Sequence, residues 1–138
     1  MKILIFIEGN ILDQKFEPIK SSIKKIQTWI ENGAEVEYIT MNSGFVELKK
    51  MTDKLKELGL SAEKIHAKQN NEKYTEIVEN EAANILIENQ DNCENDKCVG
   101  ERLDEELKVK SIILDKDFGI DHLPDSLDEL KAFNEENI

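Results

Sequence analysis

Polar side chains that could bind a ligand or transfer a proton stand directly after apolar stretches of this sequence. Carboxylates can exchange protons or bind a divalent cation, and hydroxyl, amide and ammonium groups can hydrogen-bond a ligand. The residues concerned are Glu8, Asn10, Thr40, Asn42, Lys68, Glu88 and Asp91. Their chemistry can be combined only if the fold brings them together, so the elements that carry them come next.

The elements that carry these residues alternate between strand and helix. Short apolar runs bounded by polar residues or glycine predict strands over residues 2–7, 36–40, 64–67, 84–88 and 111–114. Apolar residues at three- and four-residue steps predict helices over residues 19–30, 45–58, 72–82 and 127–133. Residues 101–108 fit either a helical turn or a loop.

Strands separated by helices predict one α/β domain over residues 1–138, built as a doubly wound, Rossmann-like sheet of five parallel strands. In such sheets ligands bind outside the carboxyl ends of the strands. We therefore expect five side chains to converge at that edge, namely Glu8, Asn10, Thr40, Asn42 and Glu88.

At the ends of the first four predicted strands the chain resembles the haloacid dehalogenase-like (HAD) superfamily of phosphatases and phosphotransferases, and the likeness spans almost the whole chain. The first motif of that family is an apolar strand ending in Asp-x-Asp-Gly-Thr, and residues 6–10 read Phe-Ile-Glu-Gly-Asn at those positions. Residues 119–124 read Gly-Ile-Asp-His-Leu-Pro, as in a small uncharacterised HAD-like subgroup. The resemblance implies a HAD-like core with the strand order five-four-one-two-three. Residues 11–17 are too few to form the cap domain of many relatives.

The resemblance also implies how a phosphate would be held. Thr40 stands where the family uses a serine or threonine to bind the phosphate, and Lys68 follows the third strand, in the region of the family's phosphate-neutralising cation. Asn10 replaces the threonine of the first motif and keeps a polar side chain. With Asn42 in the loop after the second strand, these residues are the candidate ligand-binding set for a small phosphorylated molecule.

The family's metal and catalytic positions are partly altered in this chain. Glu8 stands at the position of the general acid/base and, with Glu88 and Asp91 after the fourth strand, forms the candidate Mg²⁺ site. Phe6 occupies the position of the nucleophilic aspartate, and a phenyl ring cannot attack phosphorus. An aspartyl-phosphate mechanism is therefore not expected.

Two functions from different classes follow. One is a HAD-like domain with a degenerate active site that acts by ligand binding or association. The alternative is a divergent Mg²⁺-dependent phosphohydrolase that acts on a small phosphorylated molecule with Glu8 as its catalytic residue. Fold alone does not decide between them.

Composition limits the partners. The 30 acidic residues outnumber the 18 lysines and arginines, giving a net charge of −12 and a pI near 4.6. Nucleic acid and anionic membranes are bound by clustered basic residues, so neither is an expected partner. The apolar run 3–7 is too short for a signal peptide or a membrane span, and a cytoplasmic location is expected. There, Cys93 and Cys98 are expected to be free thiols, forming neither a disulfide nor a zinc site.

Overall fold

Five parallel strands form one sheet in the order β3-β2-β1-β4-β5 in the computed structural model of the chain. The strands are β1 Lys2–Phe6, β2 Glu35–Thr40, β3 Ile65–Ala67, β4 Ile85–Asn89 and β5 Lys110–Leu114. The structure describes residues 1–61, 64–69, 71–93, 98–115 and 117–133. The all-parallel sheet with β1 at its centre confirms the predicted α/β fold class and the predicted strand order.

Helices connect the strands and cover both faces of the sheet. Within the described residues the α-helices are α1 Lys20–Glu31, α2 Phe45–Glu57, α3 Tyr74–Asn80, α4 Val99–Arg102 and α5 Leu127–Lys131. Short 3₁₀ turns span Gln90–Asn92, Glu105–Leu107 and Ile120–His122. Segment 101–108, which fitted a turn or a loop, is the end of α4 followed by a 3₁₀ turn. Across the described ranges, a helix long and apolar enough to span a bilayer does not occur.

The central strand explains why two buried clusters form, one on each face of the sheet. Its residues alternate between the faces, so Ile3 and Ile5 join one buried cluster with Trp29 of α1, whereas Leu4 and Phe6 join the other. The first cluster also contains side chains of α2 and α5, and we call its side of the sheet the α1 face. The second cluster contains side chains of α3 and α4, and we call its side the α3 face. The part of a strand that is buried on both faces must be apolar, as Ile3–Phe6 of β1 is.

The Gly-Ile-Asp-His-Leu-Pro segment, residues 119–124, packs against α1. Ile120 and Leu123 are buried, and the Trp29 indole donates a hydrogen bond to the Pro124 carbonyl oxygen at 2.9 Å. These contacts fix the chain between β5 and α5. In this structure the segment therefore anchors the carboxyl-terminal part of the chain to α1.

Candidate functional site

A crevice of about 340 Å³ opens at the carboxyl ends of the central strands. Its lining is contributed by the turn after β1, the loop after β2, helix α2 and the 3₁₀ turn after β4. The lining residues are Ile7, Glu8, Gly9, Leu12, Asp13, Gln14, Phe16, Met41, Asn42, Met51, Asp91 and Asn92. The set holds three carboxylates, many apolar side chains and, in the part of the chain that the structure describes, no lysine, arginine or histidine. The crevice is thus acidic and half apolar.

Glu8 is held in the crevice by three hydrogen bonds. Its Oε2 accepts hydrogen bonds from the Thr40 hydroxyl at 2.6 Å and from Asn42 Nδ2 at 3.2 Å. Its Oε1 accepts the Met41 backbone N–H at 2.9 Å. Both carboxylate oxygens are therefore already engaged by donors from the end of β2. This arrangement holds the Glu8 carboxylate in one orientation at the edge of the crevice.

Thr40 positions Glu8 and does not reach the crevice. Its side chain is fully buried, and its hydroxyl also contacts Met51 Sδ at 3.4 Å. The same oxygen accepts the Asn42 backbone N–H at 3.1 Å. The structure thus brings together three of the five residues expected to converge, Glu8, Thr40 and Asn42, but it uses the threonine to support the carboxylate.

Asn10 is placed in the turn after β1, where its side chain is buried. Its Nδ2 donates to the Phe6 carbonyl oxygen at 3.1 Å, which closes the turn. Gly9, directly before it, has φ +83° and lies so close to β4 that an added Cβ would be 3.3 Å from Asn89 Cγ. Asn10 therefore shapes the turn and is not among the crevice-lining residues, and its ligand-binding role stays a prediction.

Glu88 does not join the crevice, contrary to expectation. Alternation along β4 places it with Leu86 on the α3 face, and it is fully buried there. Its two oxygens accept the backbone N–H groups of Val99 and Gly100, each at 2.8 Å, at the start of α4. Burial raises the pKa of the Glu88 carboxyl above its ordinary value of 4.5, and these two hydrogen bonds oppose the rise.

Lys68 also lies away from the crevice. Its Nζ sits 4.1 Å from the centre of the Tyr74 ring, a cation–π contact. Tyr74 belongs to the buried cluster on the α3 face, so Lys68 follows β3 on the side of the sheet opposite the crevice lining. The expectation that Lys68 meets a ligand held by Glu8 is corrected for that reason.

Asp91 is the only other residue of the predicted metal set that lines the crevice among the described residues. It is exposed, and its backbone N–H donates to Asn89 Oδ1 at 3.1 Å. Glu8 and Asp91 are therefore the pair of carboxylates that could share a divalent cation in the crevice. Glu88, the third predicted ligand, faces the α3 side.

Two asparagines that sequence reasoning missed hold the floor of the crevice. Asn92 Nδ2 donates to the Glu8 carbonyl oxygen at 2.9 Å, and Asn92 Oδ1 accepts the Asn89 backbone N–H at 2.9 Å. Asn89 and Asn92 form a reciprocal capping pair around the 3₁₀ turn Gln90–Asn92. The sequence does contain a signal for this turn, because two amide side chains stand three residues apart at the end of the fourth strand.

The turn that forms one wall of the crevice is strained at Phe16. This aromatic residue has φ +61°, a left-handed conformation that bulky side chains rarely adopt. The Asp13 carboxylate stabilises the turn by accepting the backbone N–H groups of Lys15 at 2.8 Å and Glu17 at 3.0 Å. The strain holds an aromatic ring against the crevice, and such strain is often found at ligand sites.

Cys93 and Cys98 form a disulfide. The expectation that both are free thiols is therefore wrong. The chain turns at Gln90–Asn92 and starts α4 at Val99, which brings the two Cα atoms to 4.3 Å from each other. Residues 94–97, between the two cysteines, lie outside the described residues.

No protein-family model matches the chain, and no curated protein matches it in sequence. The chain is similar to the solved structure "Nitrogenase Cp1 at pH 6.5", with 15% sequence identity and a TM-score of 0.42. The similarity covers 95% of this chain and 26% of the nitrogenase chain. A likeness at this level carries no argument about function.

Proposed function

We propose that this chain is a HAD-like domain that binds a small ligand in the crevice beside Glu8 and does not transfer phosphoryl groups through an aspartyl-phosphate. The observation that carries the proposal is the position of Phe6. Its ring is fully buried and packs edge to face on Tyr74, with 5.3 Å between the ring centres. The residue at the expected nucleophile position thus belongs to the core of the α3 face, whereas the buried apolar residues of the crevice lining, Ile7, Leu12 and Met51, belong to the cluster of the α1 face.

The fixed orientation of Glu8 supports binding over attack. Three donors already hold its carboxylate, so it is a stable acceptor or metal ligand. A nucleophile needs a freer oxygen and an activating neighbour. Among the crevice-lining residues of the described chain no cation is available to stabilise a leaving phosphate.

The lining also limits the ligand. Glu8, Asp13 and Asp91 repel a bare anion, so a phosphorylated molecule would need a divalent cation shared by Glu8 and Asp91. An amine with an apolar group would fit without one, because Phe16 and the two methionines offer aromatic and polarisable contacts. We therefore infer that the crevice prefers cations to free anions.

Methionine methyl resonances provide a direct test of binding. The chain has three methionines; Met41 and Met51 line the crevice, and Met1 is an internal control. Protein labelled at the methionine methyl groups would be titrated separately with Mg²⁺, inorganic phosphate and benzylamine. We expect Mg²⁺ and benzylamine to shift the Met41 and Met51 signals and phosphate alone to leave them in place. A shift by phosphate alone, or no shift by any probe, would contradict the proposal.

Catalysis is tested separately with a panel of phosphomonoesters and Mg²⁺ at neutral pH. We expect no turnover above the rate without protein, and the Phe6→Asp variant should not gain activity, because the new carboxylate would be buried in an apolar cluster. Robust turnover that disappears in Glu8→Gln, or phosphate trapped covalently on a carboxylate, would favour the divergent phosphohydrolase.

A further inference from the structure

Three potential metal ligands meet beneath the start of α4, outside the crevice. Glu88 comes from β4, Cys93 follows the 3₁₀ turn, and Cys98 immediately precedes α4. The carboxylate oxygen and both sulfur atoms lie within 4.8 Å of one another. Two ligand atoms of one tetrahedral zinc ion are about 3.3–3.8 Å apart, given bond lengths of about 2.0–2.3 Å. Small side-chain movements are therefore enough to place all three atoms around one ion.

We propose that Cys93, Cys98 and Glu88 bind one Zn²⁺-like divalent ion when the disulfide between the cysteines is reduced. Thiolate and carboxylate are both established zinc donors, and four intervening residues separate the cysteines, a common spacing for a zinc-binding pair. The third ligand comes from a different strand. A water molecule would complete the tetrahedron.

The surroundings orient these ligands in advance. The N–H groups of Val99 and Gly100 fix the Glu88 carboxylate, each at 2.8 Å, and hydrogen bonds of this kind strengthen metal sites by holding the ligand in place. The Cys98 backbone N–H donates to Glu101 Oε1 at 3.2 Å, which fixes the chain at the second cysteine. Glu88 and Cys98 are both buried, so the ion would be shielded from solvent on that side.

A second cluster of potential metal ligands is equally compact but does not suit a metal ion. Glu37, His66 and Glu81 also lie within 4.8 Å of one another. Lys2 Nζ stands among them, 3.0 Å from Glu37 and 3.3 Å from Glu81, and Lys64 Nζ is 3.4 Å from Glu37. These ammonium groups already neutralise the carboxylates and would repel a metal ion. Glu88 instead accepts hydrogen bonds from the backbone N–H groups of Val99 and Gly100.

The metal ion can bind only after the disulfide has been reduced. A phosphine reductant breaks the S–S bond, gives up two electrons and becomes a phosphine oxide with oxygen from water, and the two cysteines become thiols. Binding of the divalent ion then forms two metal–sulfur bonds and releases the two thiol protons. The oxidised protein has no thiolate to offer and should not bind the ion at this position.

Cobalt(II) reports the ligands directly, because thiolate coordination produces a charge-transfer band and tetrahedral geometry produces intense visible bands. The full chain would be reduced, freed of reductant under anaerobic conditions and titrated with Co²⁺, and then with Zn²⁺. We expect one Co²⁺ per chain with a thiolate band that Zn²⁺ removes, and no band in the oxidised protein. Absence of the band in the reduced wild type would refute the proposal.

Variants assign the three ligands. Replacing both Cys93 and Cys98 with serine should abolish the band, and Glu88→Gln should weaken Co²⁺ binding by at least about tenfold. His66→Gln, in the second cluster, is the matched control and should leave the spectrum unchanged; loss of binding there would place the ion elsewhere. Undiminished binding by folded Glu88→Gln would remove Glu88 from the site. If that variant does not fold, the ¹¹³Cd resonance of the reduced wild type decides, since it distinguishes two thiolates with oxygen ligands from other sets.

Discussion

Two buried glutamates on the α3 face, Glu37 on β2 and Glu88 on β4, have opposite electrostatic environments. They lie on the strands that flank β1, and neither is more than 1% exposed. Glu37 is surrounded by basic side chains, with His66 Nε2 at 2.8 Å, Lys2 Nζ at 3.0 Å and Lys64 Nζ at 3.4 Å. Glu88 accepts the backbone N–H groups of Val99 and Gly100, each at 2.8 Å.

The pKa values of the two carboxyls move in opposite directions as a result. Burial alone would raise the pKa of Glu37, but hydrogen bonds from His66, Lys2 and Lys64 outweigh it and lower the pKa to about 2. At Glu88 burial prevails over the hydrogen bonds from Gly100 and Val99, and the pKa rises. The partners therefore decide the charge state of a buried carboxyl, and burial alone does not. The charge of Glu37 is balanced by its basic neighbours, whereas Glu88 accepts backbone N–H groups and its burial disfavours the ionised form.

The largest effect is expected at Glu37. Glu37→Gln removes the charge shared by its cationic neighbours and should lower the free energy of unfolding at pH 7 by about 2–3 kcal/mol. Urea denaturation measures the change. Glu35→Gln is the matched control on the same strand, because its side chain is 59% exposed and 3.6 Å from Lys64, and it should change stability by less than about 0.5 kcal/mol. Equal effects of the two substitutions would contradict the special role of Glu37.

The pH dependence of stability tests whether the effect of Glu37 comes from its charge or from its packing. The folded pKa of about 2 lies below the ordinary value of 4.5, so between them the unfolded chain binds a proton that the folded chain does not. The contribution of Glu37 is thus complete above about pH 5 and is lost as the pH falls toward 2, on the order of 2–3 kcal/mol in all. The stability difference between wild type and Glu37→Gln should shrink over this range. A difference that stays constant with pH would show that packing, not charge, is responsible.

The sheet could be predicted because its signals are local. The apolar run of β1 and the periodic apolar positions of α1 are set by residues close in sequence, and parallel strands necessarily end at one edge. That edge explains why Glu8, Thr40 and Asn42 were correctly expected to meet. The two functional hypotheses, by contrast, depend on the resemblance and stay predictions.

The errors at the site concern the face on which a side chain lies. Glu88 shares the face of Leu86, and Lys68 contacts Tyr74 of α3, yet the sequence does not say which helix covers which side of the sheet. Contacts between segments far apart in the chain could not be predicted from the sequence either. The amide of Asn92 reaches Glu8, and the Cys93–Cys98 disulfide depends on how the chain turns between β4 and α4.

A smaller effect is expected where the backbone donors of Glu88 are tightly packed. A Cβ added to Gly100 would lie 2.6 Å from Ser111 Cβ on β5 and 3.3 Å from Glu88 Oε2. Gly100→Ala should therefore displace the start of α4 and lower the free energy of unfolding by about 1–3 kcal/mol. In a double-mutant cycle, Ser111→Gly should recover about 1 kcal/mol of that loss specifically in the Gly100→Ala background. Strict additivity would mean that Ser111 is not the obstacle.

The smallest effect is expected at two hydroxyls on β2, which extend the contrast between partnered and unpartnered buried groups. Tyr38 and Thr40 are both buried. The Tyr38 hydroxyl has no hydrogen-bond partner within the described ranges, and burial raises the pKa of this phenol. The Thr40 hydroxyl donates a hydrogen bond to Glu8.

Because an unpartnered buried hydroxyl carries a desolvation cost, Tyr38→Phe should leave the free energy of unfolding unchanged or raise it by up to about 1 kcal/mol. Thr40→Val should lower it by about 1–2 kcal/mol, since it leaves a hydrogen bond to the Glu8 carboxylate unmade. Urea denaturation of both variants at pH 7 measures the two changes, and a loss of more than about 1 kcal/mol in Tyr38→Phe would show that its hydroxyl does have a stabilising partner.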